Sequence, residues 1–422
     1  MVTAAPVRVG GRGQPGAWAT ALCGMVSLAV AMGIGRFAFT PLLPMMLHER
    51  TVDLPTASWL ASANYLAYML GALLCTLQPW IWSRFSGLPS LTYSSIVRYG
   101  LAATGLLTLA MALPLAATWP SLRFGAGIAS AVVFVFTTGW CLARLARLGA
   151  SALGGVIFAG PGVGIVVSGL FGTGMVAWGW TAAIGWLIFG VLALVLTAVV
   201  WRIFQGGEER LVALHKSVPP AVGDSSGDND RGEISLLALA YGLAGFGYIV
   251  TATFLPVIAR QSLPESAWLD LFWPIFGCGV VMGALLATTV PATGDRRVLL
   301  AGAYIIEALG ISAGLLFPSL PGFAIGSLMI GFPFTTITYF AMQEVRRLRP
   351  ASAASFMGLL TVTYGIGQIV GPPLVAVLLA HSATASEGFN RSLLLAMSAL
   401  VAGTLLYVWM IRRYPIAKPA VG

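Results

Sequence analysis

An all-helical, polytopic membrane fold of two related six-helix bundles is predicted by three observations. Twelve apolar runs are each long enough to span a bilayer, one polar stretch separates the sixth from the seventh, and a repeat lays the second half on the first. The chain has 422 residues, 58% apolar and 9% charged, so it lacks the polar surface that a soluble protein of this size needs. A hydrocarbon core about 30 Å thick takes about 20 residues, each rising about 1.5 Å along a helix. The runs fall at 17–46, 56–79, 91–114, 120–143, 150–176, 181–204, 234–258, 267–290, 298–318, 321–343, 352–380 and 389–411. They are too long for barrel strands and do not alternate polar with apolar, so each is a helix that satisfies its own backbone. The first run exceeds the apolar stretch of a secretory signal and is read as a retained helix.

The net charge of +9 raises a nucleic-acid reading, but the positions of the cations follow membrane orientation instead. With the N-terminus inside, the inner segments collect most of the arginines and lysines, among them Arg8, Arg12, Arg84, Arg144, Arg147, Arg296, Arg297, Arg346, Arg347, Arg412 and Arg413. The outer loops hold Arg50, Arg123, Arg260 and Arg391. Both termini are therefore expected in the cytoplasm. Cys23, Cys75, Cys141 and Cys278 all fall within the apolar runs and read as small packing residues without a disulfide framework.

The longest polar stretch, around GDSSGDNDRGE, divides the chain into an N-terminal bundle (1–204), a cytoplasmic linker (205–233) and a C-terminal bundle (234–422). A shift of 212 residues lays GIGRFAFTPLLP (33–44) on GFGYIVTATFLP (245–256), and GALL at 71–74 on GALL at 283–286. One offset holding across two helices and the loop between them reads as an internal duplication, which in transporters puts the binding site where the halves meet.

The runs MGIGRFAFTPLLPMM (32–46), ANYLAYMLGALL (63–74) and YGIGQIVGPPLV (364–375) resemble the YbfB/YjiJ-type branch of the major facilitator superfamily, and the six-plus-six organisation resembles that superfamily over essentially the full length. The resemblance implies a secondary transporter of the bacterial inner (plasma) membrane working by alternating access. It leaves the substrate open. The superfamily's loop between helices two and three carries an acid before an arginine; here WSRFSG (82–87) has Ser83 in that place, while GDRR (294–297) keeps the pattern in the second half. The implied ion-pair gate is therefore assigned to Asp295 and Arg296.

Arg36 has no charged residue within twelve positions on either side apart from the neutral His48. Holding a guanidinium in a span costs about 2.5–3.5 kcal/mol on insertion scales, so it points either to a cavity role or to a structural partner such as backbone carbonyls. The repeat sets Tyr248 opposite it. A guanidinium stays charged and matches a carboxylate or phosphate with paired hydrogen bonds, so the expected ligand is a small organic anion. Helical spacing adds Asn64 with Tyr68; Thr361, Tyr364 and Gln368; and Tyr339 with Gln343, with helix-to-helix hydrogen bonding as the competing reading.

Glu307 is the carboxylate deepest in a span. It is either a proton-coupling group or a structural acid, since the resemblance makes its helix peripheral. Gly160, Pro161, Gly162 and Gly164 are similar to the exporters' antiporter motif, and equally suit close helix packing. The histidines His48, His215 and His381 do not converge with the cysteines, and neither a zinc-protease motif nor a phosphate-binding loop is present. No enzyme activity, cofactor or metal is expected. The expected partners are a small-molecule substrate, a proton or other coupling ion and the bilayer, with the chain acting as a monomer. Two rivals are a polyspecific exporter of cationic or lipophilic compounds, which wants a deep carboxylate among its cavity helices, and a receptor that binds without transport.

Overall fold

The computed structural model describes residues 15–84, 92–206, 228–290, 294–349 and 353–416. Twelve helical units follow in chain order: α1 (Ala17–Leu28, Ala29–Ile34 and Phe39–His48), α2 (Leu54–Arg84), α3 (Tyr93–Ala110), α4 (Trp119–Arg147), α5 (Gly154–Phe158 and Gly160–Ala177) and α6 (Ala182–Trp201). The second set comprises α7 (Asp228–Ser262), α8 (Phe272–Ala287), α9 (Arg296–Leu316), α10 (Leu320–Gly331 and Pro333–Leu348), α11 (Ala353–Ala380) and α12 (Ala385–Arg413). Eleven are long and apolar enough to cross a bilayer; α3, with Ser94, Ser95 and Arg98 in its first turns, is the more polar twelfth. Side-chain caps mark several starts: Thr92, Thr181, Asp295, Ser319 and Thr384 each accept an amide of the first turn.

The linker expected over 205–233 falls mainly on 207–227, outside the described residues. The seventh helix begins earlier than expected, at Asp228. Its Glu233 is held by Arg297 and Arg347, which gives that extra turn a tertiary anchor that hydropathy alone does not reveal.

The two halves meet along three seams, α1 with α7, α2 with α11 and α5 with α8. The hydroxyl of Thr40 donates to the carbonyl of Ala252 at 2.9 Å, and these residues are 212 apart, the offset of the sequence repeat. A contact between equivalent positions lies on the axis relating two copies, so this bond marks the pseudo-twofold axis between the bundles.

The first helix is broken. Its middle turn is π-helical, with Gly35 N–H reaching the carbonyl of Val30 and Phe37 N–H that of Met32, and turns fill the gap before Phe39. Pro41 has no N–H to return to Phe37, so the regular ladder cannot run through this stretch. Close packing holds the break in place: a Cβ at Gly33 would lie 2.3 Å from the Cα of Gly164 on α5, so only two glycines let these backbones touch.

Candidate substrate site

The break in α1 presents Arg36 to the seam between the bundles, where it is only 2% exposed. Its Nη2 donates to Oε1 of Gln368 on α11, and Gln368 Nε2 donates to the Tyr248 hydroxyl on α7 at 2.5 Å. The amide orientation follows from the partners, because a guanidinium has only donors. The guanidinium carbon lies 4.3 Å from the ring centre of Tyr68, 5.0 Å from Tyr65 and 5.2 Å from Phe37. Aromatic faces supply partial negative charge, but Nε has no partner, and among the described residues no carboxylate pairs with this cation. The result is a buried positive charge with π faces and one amide for company. Arg36 of α1 and Tyr248 of α7 are thus joined through Gln368.

Arg123 corrects an expectation. It is not an outer-loop cation but sits in the first turns of α4, 2% exposed, where Nη1 and Nη2 donate to the carbonyls of Gly35 (3.3 Å) and Arg36 (3.1 Å). These are carbonyls that the break in α1 frees from the helical ladder. Farther along the same face of α4, Gly127 packs on the backbone of Asn64, and Ser130 donates to the carbonyl of Ala31 at 2.7 Å. The spacing of Arg123, Gly127 and Ser130 along one helical face was the available signal. Arg123→Leu is expected to strand the two carbonyls, at about 1–3 kcal/mol each, and to lower the melting temperature and the affinity at Arg36 together. Arg123→Lys should fall between, because an ammonium lacks the fork that spans both oxygens.

Asn64 faces away from Arg36: its Nδ2 donates to the carbonyl of Arg123 at 2.8 Å, tying α2 to α4. Thr361 bonds its own helix at Met357, and Gln343 accepts from Arg296. Tyr364 stacks on Tyr248 with centroids 5.7 Å apart and on Tyr241 at 4.6 Å. The seam thus gathers Arg36, Tyr68, Tyr248, Tyr364 and Gln368 and leaves Asn64 outside.

At the face where α9 begins, the arginine paired with Asp295 is Arg297, with Nη2 to Oδ2 at 2.7 Å, and not Arg296. Asp295 caps α9, and this geometry folds the side chain two positions on back over it. Partial burial opposes ionisation of Asp295, but its hydrogen bonds and charge pairing with Arg297 prevail and hold the carboxyl below its usual value. Arg297 also binds Glu233 at 2.7 Å and the carbonyl of Tyr414 at 2.8 Å, while Arg347 bridges Glu233 and Glu344. This network fastens α7, α9, α10 and the end of α12 within the C-terminal half.

Glu307 on α9 is 1% exposed and its Oε1 has no partner. In the motif on α5, a Cβ at Gly160 would lie 2.4 Å from the carbonyl of Met25, and one at Gly164 2.5 Å from that of Ala29, while Gly162 meets Val281 and Gly277 of α8 across the seam. Close packing accounts for each of these three glycines.

Residues 28–408 match the protein family described as uncharacterised MFS-type transporter YbfB. Among solved structures, the chain is similar to the nucleoside transporter NupG. One form of it, a point mutant, superposes with a TM-score of 0.69 at 13% identity, covering 93% of this chain and 99% of that one. Another gives 0.65 at 13% identity, covering 95% and 99%. At that identity the likeness shows the fold. No curated protein matches the chain in sequence.

Proposed function

Because the chain belongs to the YbfB family of major facilitator transporters, we propose that it carries a small organic anion across the membrane by alternating access, with Arg36 as the cation that receives it. The observation that carries this reading is the buried Arg36 guanidinium at the bundle seam without a carboxylate partner. Leaving a cation unpaired in a low-dielectric interior costs several kcal/mol, and a bound carboxylate removes that cost by supplying two charge-assisted hydrogen bonds. Gln368 occupies Arg36 in the present state and is the group the anion displaces.

Contacts between the bundles close the site from both sides. Tyr65 meets Thr253 at 3.0 Å, Ser62 donates to the carbonyl of Ile369 at 3.0 Å and Thr173 to that of Asp270 at 3.1 Å. With the Thr40–Ala252 bond, they tie the halves together on the side away from the linker, while Gly155 meets Thr288 and Gly358 faces Thr76 on the linker side; with Arg36 and Gln368 buried between them, this reads as a closed state. The concentration of arginines on the linker side supports reading that side as the cytoplasmic one. One chain suffices, since both walls of the site come from its own halves.

Glu307 is the coupling group best placed by depth, and a proton is the ion it would carry. In reconstituted vesicles, wild type is expected to accumulate a labelled organic acid against its gradient when the medium is acidified. Glu307→Gln is expected to keep exchange of internal for external acid while losing uphill accumulation. Accumulation unchanged in the variant removes Glu307 from coupling, and absence of both uptake and exchange in wild type, across a panel of acids with folded protein, favours a receptor.

A further inference from the structure

A cavity of about 270 Å³ lies at the end of the N-terminal bundle away from the linker, between the end of α1, the α3–α4 connection and the start of α6. A cavity of about 150 Å³ suffices for a benzene ring. The chain turns back sharply after α1. Arg50 takes a left-handed backbone conformation (φ 56°), and the N–H and hydroxyl of Thr51 both reach the carbonyl of Met46 at 3.0 Å. Just before that turn, Glu49 accepts from the N–H of Ala182 at 2.7 Å, so one carboxylate oxygen fastens α1 to the first turn of α6.

The hydrogen-bonding capacity left open in this cavity has one sign. The Thr51 hydroxyl is engaged by Met46, the Ala182 amide by Glu49, and Trp119 Nε1 donates to the carbonyl of Leu113 at 3.2 Å. Trp186 Nε1 has no partner, but that atom is sealed inside the wall and does not open on the cavity. The second oxygen of Glu49 has neither a hydrogen bond nor an ion pair among the described residues, and its side chain is exposed. No arginine, lysine or histidine among the described residues lines the space, and its apolar wall includes Trp119, Trp186 and Met46.

We propose that this cavity is a second binding site, for an organic ammonium with an apolar body of about one ring, its N–H groups on Glu49 and its body against Trp119 and Trp186. A carboxylate oxygen without a donor takes charge-assisted hydrogen bonds, and among aromatic side chains indole attracts cations most strongly. The Glu49 charge turns anions away, so the ligand class is opposite to the one expected at Arg36, and the proposal does not rest on that reading. An ammonium can arrive as a free amine or as a lipid headgroup, since Leu113 on the lining is 52% exposed.

The test is calorimetry on the purified chain in maltoside micelles with benzylamine, protonated at neutral pH, and benzyl alcohol, its neutral counterpart. Benzylamine is expected to bind about tenfold more tightly than the alcohol. Glu49→Gln keeps an oxygen for the Ala182 N–H and loses the charge, so it should fold and the two affinities should converge. Ala183→Trp fills the cavity from α6 and leaves Glu49 in place, and should weaken benzylamine at least tenfold. Absence of benzylamine binding, equal affinities in wild type, a gap that survives in folded Glu49→Gln, or full affinity in folded Ala183→Trp each overturns the proposal. Given the expected pattern, adding phosphatidylethanolamine to the micelles identifies the source: weaker benzylamine binding assigns the site to a lipid headgroup, and unchanged affinity assigns it to a free amine.

Discussion

Arg36→Met is expected to lower the affinity for organic carboxylates about a hundredfold or more while leaving the melting temperature of the ligand-free protein unchanged or raised. The two halves of this result come from one cause. In the bound state a carboxylate takes paired hydrogen bonds from the guanidinium, each bond to a charged group contributing about 1.5–3 kcal/mol, so deleting the cation removes most of the binding energy. In the free state the same cation is buried with one hydrogen bond, to Gln368, and an unpartnered Nε. Replacing it by a methionine of similar length relieves a desolvation cost of several kcal/mol and puts a thioether among Phe37, Tyr65 and Tyr68, where sulfur–ring contacts are favourable. Arg36→Lys should keep the charge and lose the fork, falling about tenfold in affinity. Thermal unfolding and ligand titration on the same preparations check both halves. A large fall in melting temperature for Arg36→Met would instead make Arg36 a structural residue.

Gly33→Val is expected to destabilise the N-terminal bundle by about 3 kcal/mol and to reduce the yield of folded protein. The new Cβ would meet backbone, at 2.3 Å from Gly164 Cα and 2.5 Å from its carbonyl carbon, and backbone cannot rotate aside as a side chain can. The facing position is equally closed, since a Cβ at Gly164 would lie 2.7 Å from Gly33 Cα. Forcing α1 away from α5 also moves the break that carries Arg36, so surviving folded protein should bind more weakly. Gly174→Val is the control: on the same α5, nothing lies within 4 Å of its added Cβ, and its melting temperature should stay near wild type. Comparable losses in the two variants would mean that the glycines matter for the helix itself and not for the seam.

The twelve helices were legible because bilayer thickness imposes one length on every span, and the duplication because a constant offset survives in Gly33, Gly35, Leu43 and Pro44. Arg36 stood out because a lone charge in an apolar run has few physical explanations. Its partnership with Gln368 was not legible, since 332 residues separate them and only the meeting of the two bundles along the α1–α7 and α2–α11 seams brings them together. Asn64 misled because four-residue spacing puts it near Tyr68 on α2, yet the helix is rotated enough for Asn64 to meet the Arg123 carbonyl while Tyr68 meets Arg36. Arg123 was hidden by its place at the end of a span, where a cation ordinarily reaches water or headgroups. The break in α1 frees the carbonyls that draw it inward instead. In GDRR, the sequence offers two adjacent arginines to one acid, and the capping geometry of Asp295 selects the second.

A structure of the chain with a bound organic carboxylate measures the central claim most directly. Its oxygens should lie within hydrogen-bond distance of the Arg36 guanidinium, with the Gln368 amide displaced from it. An intact Arg36–Gln368 bond, with the acid seated elsewhere, would contradict the account.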